Sequence, residues 1–133
     1  MCLISKWRFP KKAKKDIVCY KVYIVIQNSC THEIVKAVTP FMYEEVNIYQ
    51  PIKAISNKSL FERWWNGICN PHEKADGYIH TLYSISLAKE LIKFYQINNA
   101  KIFKCIIPKG TKYHIGEDNR DLCSKTIKVI QLI

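Results

Sequence analysis

With 133 residues, 48% of them apolar, and 16 aromatics (8 Tyr, 5 Phe, 3 Trp), the chain suits one globular domain with its own core, which excludes an intrinsically disordered protein. A formal net charge of +10 points toward acidic partners such as phosphates. No apolar run approaches the roughly 18–20 residues of a membrane helix, so no membrane association is expected.

The chain opens Met1-Cys2-Leu3-Ile4 and then turns basic, the reverse of a secretory leader, and a cytoplasmic address is expected. Residues 1–15 carry Lys6, Arg8, Lys11, Lys12, Lys14 and Lys15 without an acid, interleaved with Trp7, Phe9 and Pro10. They read as a basic N-terminal arm preceding a domain over 16–133. Lys6, Trp7, Arg8, Lys11, Lys12, Lys14 and Lys15 are its candidate nucleic-acid-binding residues: lysines for phosphates, aromatics to stack on bases or pack on the body. The plain alternative is an exposed edge that confers solubility.

Ile17 to Ile26 is β-branched and aromatic with one charge, Lys21, and predicts a central strand. Asn28-Ser29 is a turn signal. His32 to Val38 predicts a second strand, able to pair with the first as a hairpin and closing at Pro40. Phe41 to Asn57 contains Pro51, which confines it to edge pairing or irregular structure. Leu60 to Trp65 suggests a short helix near 59–65, capped by Asn57 or Ser59. Asn66 to Gly77 is a loop.

Gly77 to Tyr83 predicts a short strand running into a helix over about 86–97, with Ser84 and Ser86 as N-cap candidates. Leu87, Ala88, Leu91, Ile92 and Tyr95 share one helical face, and Lys89, Glu90, Lys93 and Gln96 the other. Ile102 to Ile107 is a strand, Pro108-Lys109-Gly110 a turn and Thr111 to Ile115 its continuation. Gly116 to Asp121 is a polar loop, and Lys125 to Ile133 a closing strand. Strands early and late around one main helix predict an α+β fold, mostly antiparallel.

The six cysteines (Cys2, Cys19, Cys30, Cys69, Cys105, Cys123) include no C-x-x-C spacing, and Cys19 and Cys105 lie in apolar runs, so reduced, buried thiols are expected. Cys69 and His72 form an isolated pair, and no metal site is predicted. The glycine-rich phosphate loops and the G-x-S-x-G elbow are absent, so no cofactor is implied. Among His32, His72, His80 and His114, His80 stands between a strand and a helix start, where general bases often sit; Tyr20, His80 and Ser84 are the catalytic candidates. The structural alternative is a hydrogen-bonded strand-end histidine. Glu44-Glu45 and Glu117-Asp118 are adjacent pairs, which on a strand diverge to opposite faces and read as solvated surface.

Gly77-Tyr78-Ile79-His80, Ser84-Ile85-Ser86-Leu87-Ala88, Phe103 to Gly110 and Ser124-Lys125-Thr126-Ile127 together resemble small uncharacterised proteins of phages and Bacteroides-type bacteria, over roughly residues 77–130. The resemblance implies a phage or mobile-element origin. The same order resembles the ADP-ribosyltransferase fold, with Lys21 at the early basic position and Ser84-Ile85-Ser86 at the serine motif. The catalytic Glu implied by that fold is replaced by Ser124-Lys125-Thr126, and Glu117 and Asp121 lie in the preceding loop. Two classes follow: a non-catalytic binding or structural protein contacting nucleic acid or an acidic partner, or a degenerate ADP-ribosyltransferase-like nucleotide-binding domain or enzyme. A cleft gathering Tyr20, Lys21, His80 and Ser84 is the feature that would favour the second.

Overall fold

The alternation of side chains along Ile17–Gln27 organises the molecule. In this strand, β3, Cys19, Tyr23 and Val25 are buried on one face, while Tyr20 and Val22 face the other way. A strand buried on both faces needs partners on both edges, and its β-branched, aromatic sequence suits that position. The computed structural model describes residues 3–7, 9–40, 44–54, 73–74 and 77–133.

Twelve strands are present among the described residues: β1 (Leu3–Ile4), β2 (Lys11–Lys12), β3, β4 (Ile34–Val38), β5 (Glu45–Val46), β6 (Ile52–Lys53), β7 (Glu73–Lys74), β8 (Ile79–Leu82), β9 (Ala100–Ile107), β10 (Lys112–Ile115), β11 (Asp121–Ser124) and β12 (Thr126–Leu132). A helix, α1 (Ile85–Tyr95), separates β8 from β9. The main sheet has ten strands in the order β2-β10-β11-β8-β3-β9-β12-β6, with β4 on β3 and β5 on β4; β1 and β7 form a separate pair. Every pairing is antiparallel.

The α+β expectation is therefore corrected: the fold is essentially all-β, with about half of the described residues in strands and one 11-residue helix among them. Much of the difference lies in two-residue strands such as β2, β5 and β6, which exist only because a distant partner completes their hydrogen bonds. No local periodicity announces them. Asp121, read as the end of the polar loop, likewise opens β11, which lies between β10 and β8. The short helix expected near 59–65 lies outside the described residues.

The predicted hairpin of β3 and β4 forms, with Ile24 opposite Val38 and a bulge near Gln27. β6 follows Pro51 and ends the sheet, where a residue without an amide hydrogen is tolerated. The chief core gathers Cys19, Tyr23, Phe103, Cys105, Ile107, Leu122 and Ile127 on one face of the sheet. A smaller cluster of Val22, Ala88 and Ile102 lies on the other, beneath α1.

Ser84 caps α1, its hydroxyl accepting from the Leu87 N–H at 3.2 Å, and Gln96 closes it in the left-handed conformation at φ 51°. The helix is shorter than the expected 86–97. Its packing is also looser: Ala88 is fully buried, Leu91 and Ile92 are half-buried, and Tyr95 is exposed rather than on the core.

Candidate nucleic-acid interface

The basic N-terminal segment runs along the sheet. Its attachment begins at Ser5, which bridges to Gly116, and at Lys6, whose N–H donates to the Ile115 carbonyl at 2.9 Å. Lys11 and Lys12 then pair with Tyr113 and Lys112 as the outermost strand of the sheet. Ala13 is buried; its N–H donates to Thr111 and its carbonyl accepts from Gly110 at 2.8 Å. The Lys109 N–H donates to Asp16 Oδ1 at 2.9 Å, fixing the β9–β10 turn against the end of the segment.

A buried histidine secures the same segment from beneath. His114 is fully buried, with Nδ1 2.8 Å from Ser5 Oγ and Nε2 3.3 Å from the Tyr78 hydroxyl. The Trp7 main-chain N–H donates to Ser5 Oγ at 3.1 Å, and the Trp7 ring stacks on His114 and meets Tyr113 edge-on at 5.8 Å. Trp7 therefore packs on the body, the second of its two expected roles, while Phe9 is 72% exposed.

These attachments place charges from two stretches of chain on one edge. Lys11, Lys12, Lys14 and Lys15 come from the segment, and Lys109 and Lys112 from the β9–β10 hairpin; all six are exposed. Lys12 and Lys112 are direct cross-strand partners. Opposite residues of an antiparallel pair share a face, and like charges there are destabilising. Lys11 projects to the other face, its ammonium 4.1 Å from the Trp7 ring centre. The ion pairs among the described residues are Lys36–Glu45 and Arg120–Glu90, so these lysine ammoniums form none there, and the Asp16 carboxylate at this edge accepts from the Lys109 main chain. Lys6 is exposed beside it, and Arg8 lies outside the described residues. Lys109 and Lys112 were missed as site residues because they sit about a hundred positions from the basic run, and only the β2–β10 pairing unites them.

The catalytic candidates are distributed over β3, β8 and the start of α1. Tyr20 packs in the cluster beneath α1, and alternation along β8 puts His80 on that same side. Lys21 lies on the opposite face, and Ser84 serves as the helix cap. What joins two of them is main chain: Lys21 Nζ donates to the His80 carbonyl at 2.8 Å. β3 and β8 are paired only at Tyr20 and Leu82, and β4 takes over that edge from Ile24, so the lysine amine fills a gap in the ladder. Burial pushes the Lys21 ammonium down to about 8, since a charged amine loses its hydration there. The same cause raises the thiols beside it, Cys19 to about 11 and Cys105 to about 12.

No group of three or more His, Cys, Asp or Glu side chains among the described residues could hold a metal ion. Cys69 and His72 lie outside those residues. No helix among the described residues is long and apolar enough to cross a membrane. Comparison with known protein families, with curated proteins and with solved structures found no match to this chain.

Proposed function

We propose that the protein is a non-catalytic nucleic-acid-binding protein, of phage or mobile-element type, that grips phosphates along the β2–β10 edge. One observation carries this reading: Lys12 faces Lys112 across the outermost strand pair, in a lysine ridge with no carboxylate bridge among the described residues. Such a pair is unfavourable alone and becomes favourable when an anion lies between its members. Phosphate backbones supply anions at regular spacing, and binding them releases condensed counterions. Phe9, exposed on the same segment, offers a face on which a base can stack.

Anisotropy of a labelled oligonucleotide, titrated across a salt series, tests the reading. Log affinity should fall linearly with log salt, by about 0.7 per neutralised phosphate for a single strand and about 0.9 for a duplex. A Lys11→Gln, Lys12→Gln, Lys14→Gln, Lys15→Gln variant should lose most of that slope. Absence of binding at low salt overturns the proposal, and displacement by polyglutamate at equal charge assigns the edge to an acidic protein instead.

A second reading, an ADP-ribosyltransferase-like nucleotide-binding domain, draws on the Lys21 amine at the β3–β8 junction, the position that resemblance gives to a basic residue. Ser124 is fully buried and donates to the Thr126 carbonyl, so it cannot replace the missing carboxylate. This reading expects nicotinamide dinucleotide binding without turnover. A thermal shift by the dinucleotide, abolished in Lys21→Met, supports it, and absence of any shift removes it.

A further inference from the structure

Beside α1, a cleft of about 640 Å³ lies between the helix and the β10–β11 loop. Its size falls within the range of small-molecule pockets. The floor is apolar, formed by Leu82, Leu87 and Leu91, and Phe94 and Tyr95 stand beside it, 79% and 48% exposed. Their rings meet edge-to-face at 4.9 Å. An 11-residue helix that buries only Ala88 fully and leaves this much apolar surface open is under-packed on this side.

The opposite wall is acidic, although the protein as a whole is strongly basic. Asp118 comes from the loop, Asp121 from the first position of β11, and Glu90 from the helix. Arg120 also lines the cleft, but its guanidinium is engaged by Glu90 at 2.9 Å. Arg120 still acts on Asp121, and its main-chain N–H donates to Asp118 Oδ1 at 3.2 Å, so the two aspartates share Arg120 with Glu90 and otherwise meet Lys93. Partial burial, and then the neighbouring Asp118, hold the Asp121 carboxyl above the usual range. The stretch that carries them is fixed: the Gly116 N–H donates to the Asp121 carbonyl at 2.9 Å, and the Tyr83 N–H to the Arg120 carbonyl at 3.1 Å.

We infer that this cleft binds a small aromatic organic cation, its ring on the Leu87/Leu91 floor against Phe94 and its ammonium at Asp118 and Asp121. Each part of the lining selects for that chemistry. The leucines remove apolar surface from water, the aromatic rings attract a cation through their faces, and the paired carboxylates relieve their mutual repulsion by sharing it. An anion of the same size meets the aspartates and is rejected. This site is separate from the β2–β10 edge, so its failure and that of the nucleic-acid reading are independent.

The probes are tryptamine and indole-3-acetate, which share a ring and differ in the sign of the terminal charge. Saturation-transfer NMR on the intact chain should show tryptamine contacting the protein and indole-3-acetate not. Amide shifts should concentrate in 85–95 and 116–121. Asp118→Asn and Phe94→Ala alter exposed positions and should keep the parental melting temperature, each weakening tryptamine several-fold. Equal binding of the two probes, undiminished binding to both variants, shifts confined to other residues, or no transfer at millimolar probe each overturn the inference.

Discussion

Lys21 is the residue where burial and charge conflict most directly. Its ammonium is pushed down to about 8 from the ordinary 10.5, so between those values the unfolded chain holds the proton more firmly than the folded one. The stability that this group contributes therefore rises with pH from about 8 to about 10.5, and its penalty is complete below 8. Cys19, Cys105 and Tyr23 act in the opposite sense, because burial raises them and unfolding releases their protons first. The Lys21 contribution is isolated by comparing Lys21→Met with the parent in denaturant titrations. The stability of the variant relative to the parent should fall across that window, with a slope of at most about 1.4 kcal/mol per pH unit. A difference independent of pH would show that the amine stays hydrated.

At the same scale, the buried thiols predict a reactivity pattern. Cys19 and Cys105 hold their protons at neutral pH and, like Cys123, are shielded from solvent. Alkylation of the native protein at pH 8 should label Cys30 and spare these three, and denaturation should expose all four. Ser84 separates a cap from a catalytic group. Its hydroxyl accepts from the Leu87 N–H, so Ser84→Ala should cost about 1 kcal/mol. Unchanged thermal stability would mean that the hydroxyl is not needed as a cap.

Among the elements, α1 and the N-terminal segment depart furthest from their isolated sequences. Leu91 is half-buried, so Leu91→Ala should cost less than the roughly 2–5 kcal/mol of a fully buried leucine. The segment 3–13 contributes β1, β2, the buried Ala13 and the Ser5–His114 contact. Deleting residues 1–15 should therefore lower the melting temperature sharply, and circular dichroism on heating checks it. What the sequence makes legible is what a local pattern encodes: the β-branched run of β3, the hairpin to β4, the Ser84 cap and the existence of α1, though not how far its apolar face is buried. The two-residue strands are hidden because their stability comes from pairing across tens of residues. For the same reason the run from Lys6 to Lys15 is visible as basic, whereas its union with Lys109 and Lys112 depends on register. His114, read as one histidine among four, becomes a central support only when Ser5 is brought to it from 109 positions away.

For the whole molecule, the uneven distribution of charge matters more than its sum. The lysine ridge occupies one end of the sheet, while Glu90, Asp118 and Asp121 gather at the α1 cleft. The ridge repels itself across Lys12 and Lys112, so Lys112→Gln should leave the melting temperature unchanged or slightly raised while weakening any anion held there. This separates the edge from a merely structural one, in which loss of a paired residue would cost stability. The most direct measurement is the salt dependence of oligonucleotide binding by a Lys109→Gln/Lys112→Gln variant, whose changes lie outside the basic N-terminal run. If the two chain segments form one phosphate-binding surface, the single-strand slope should fall by about 1.4, two contacts at roughly 0.7 each, with the fold intact. A slope equal to that of the parent would contradict a shared edge.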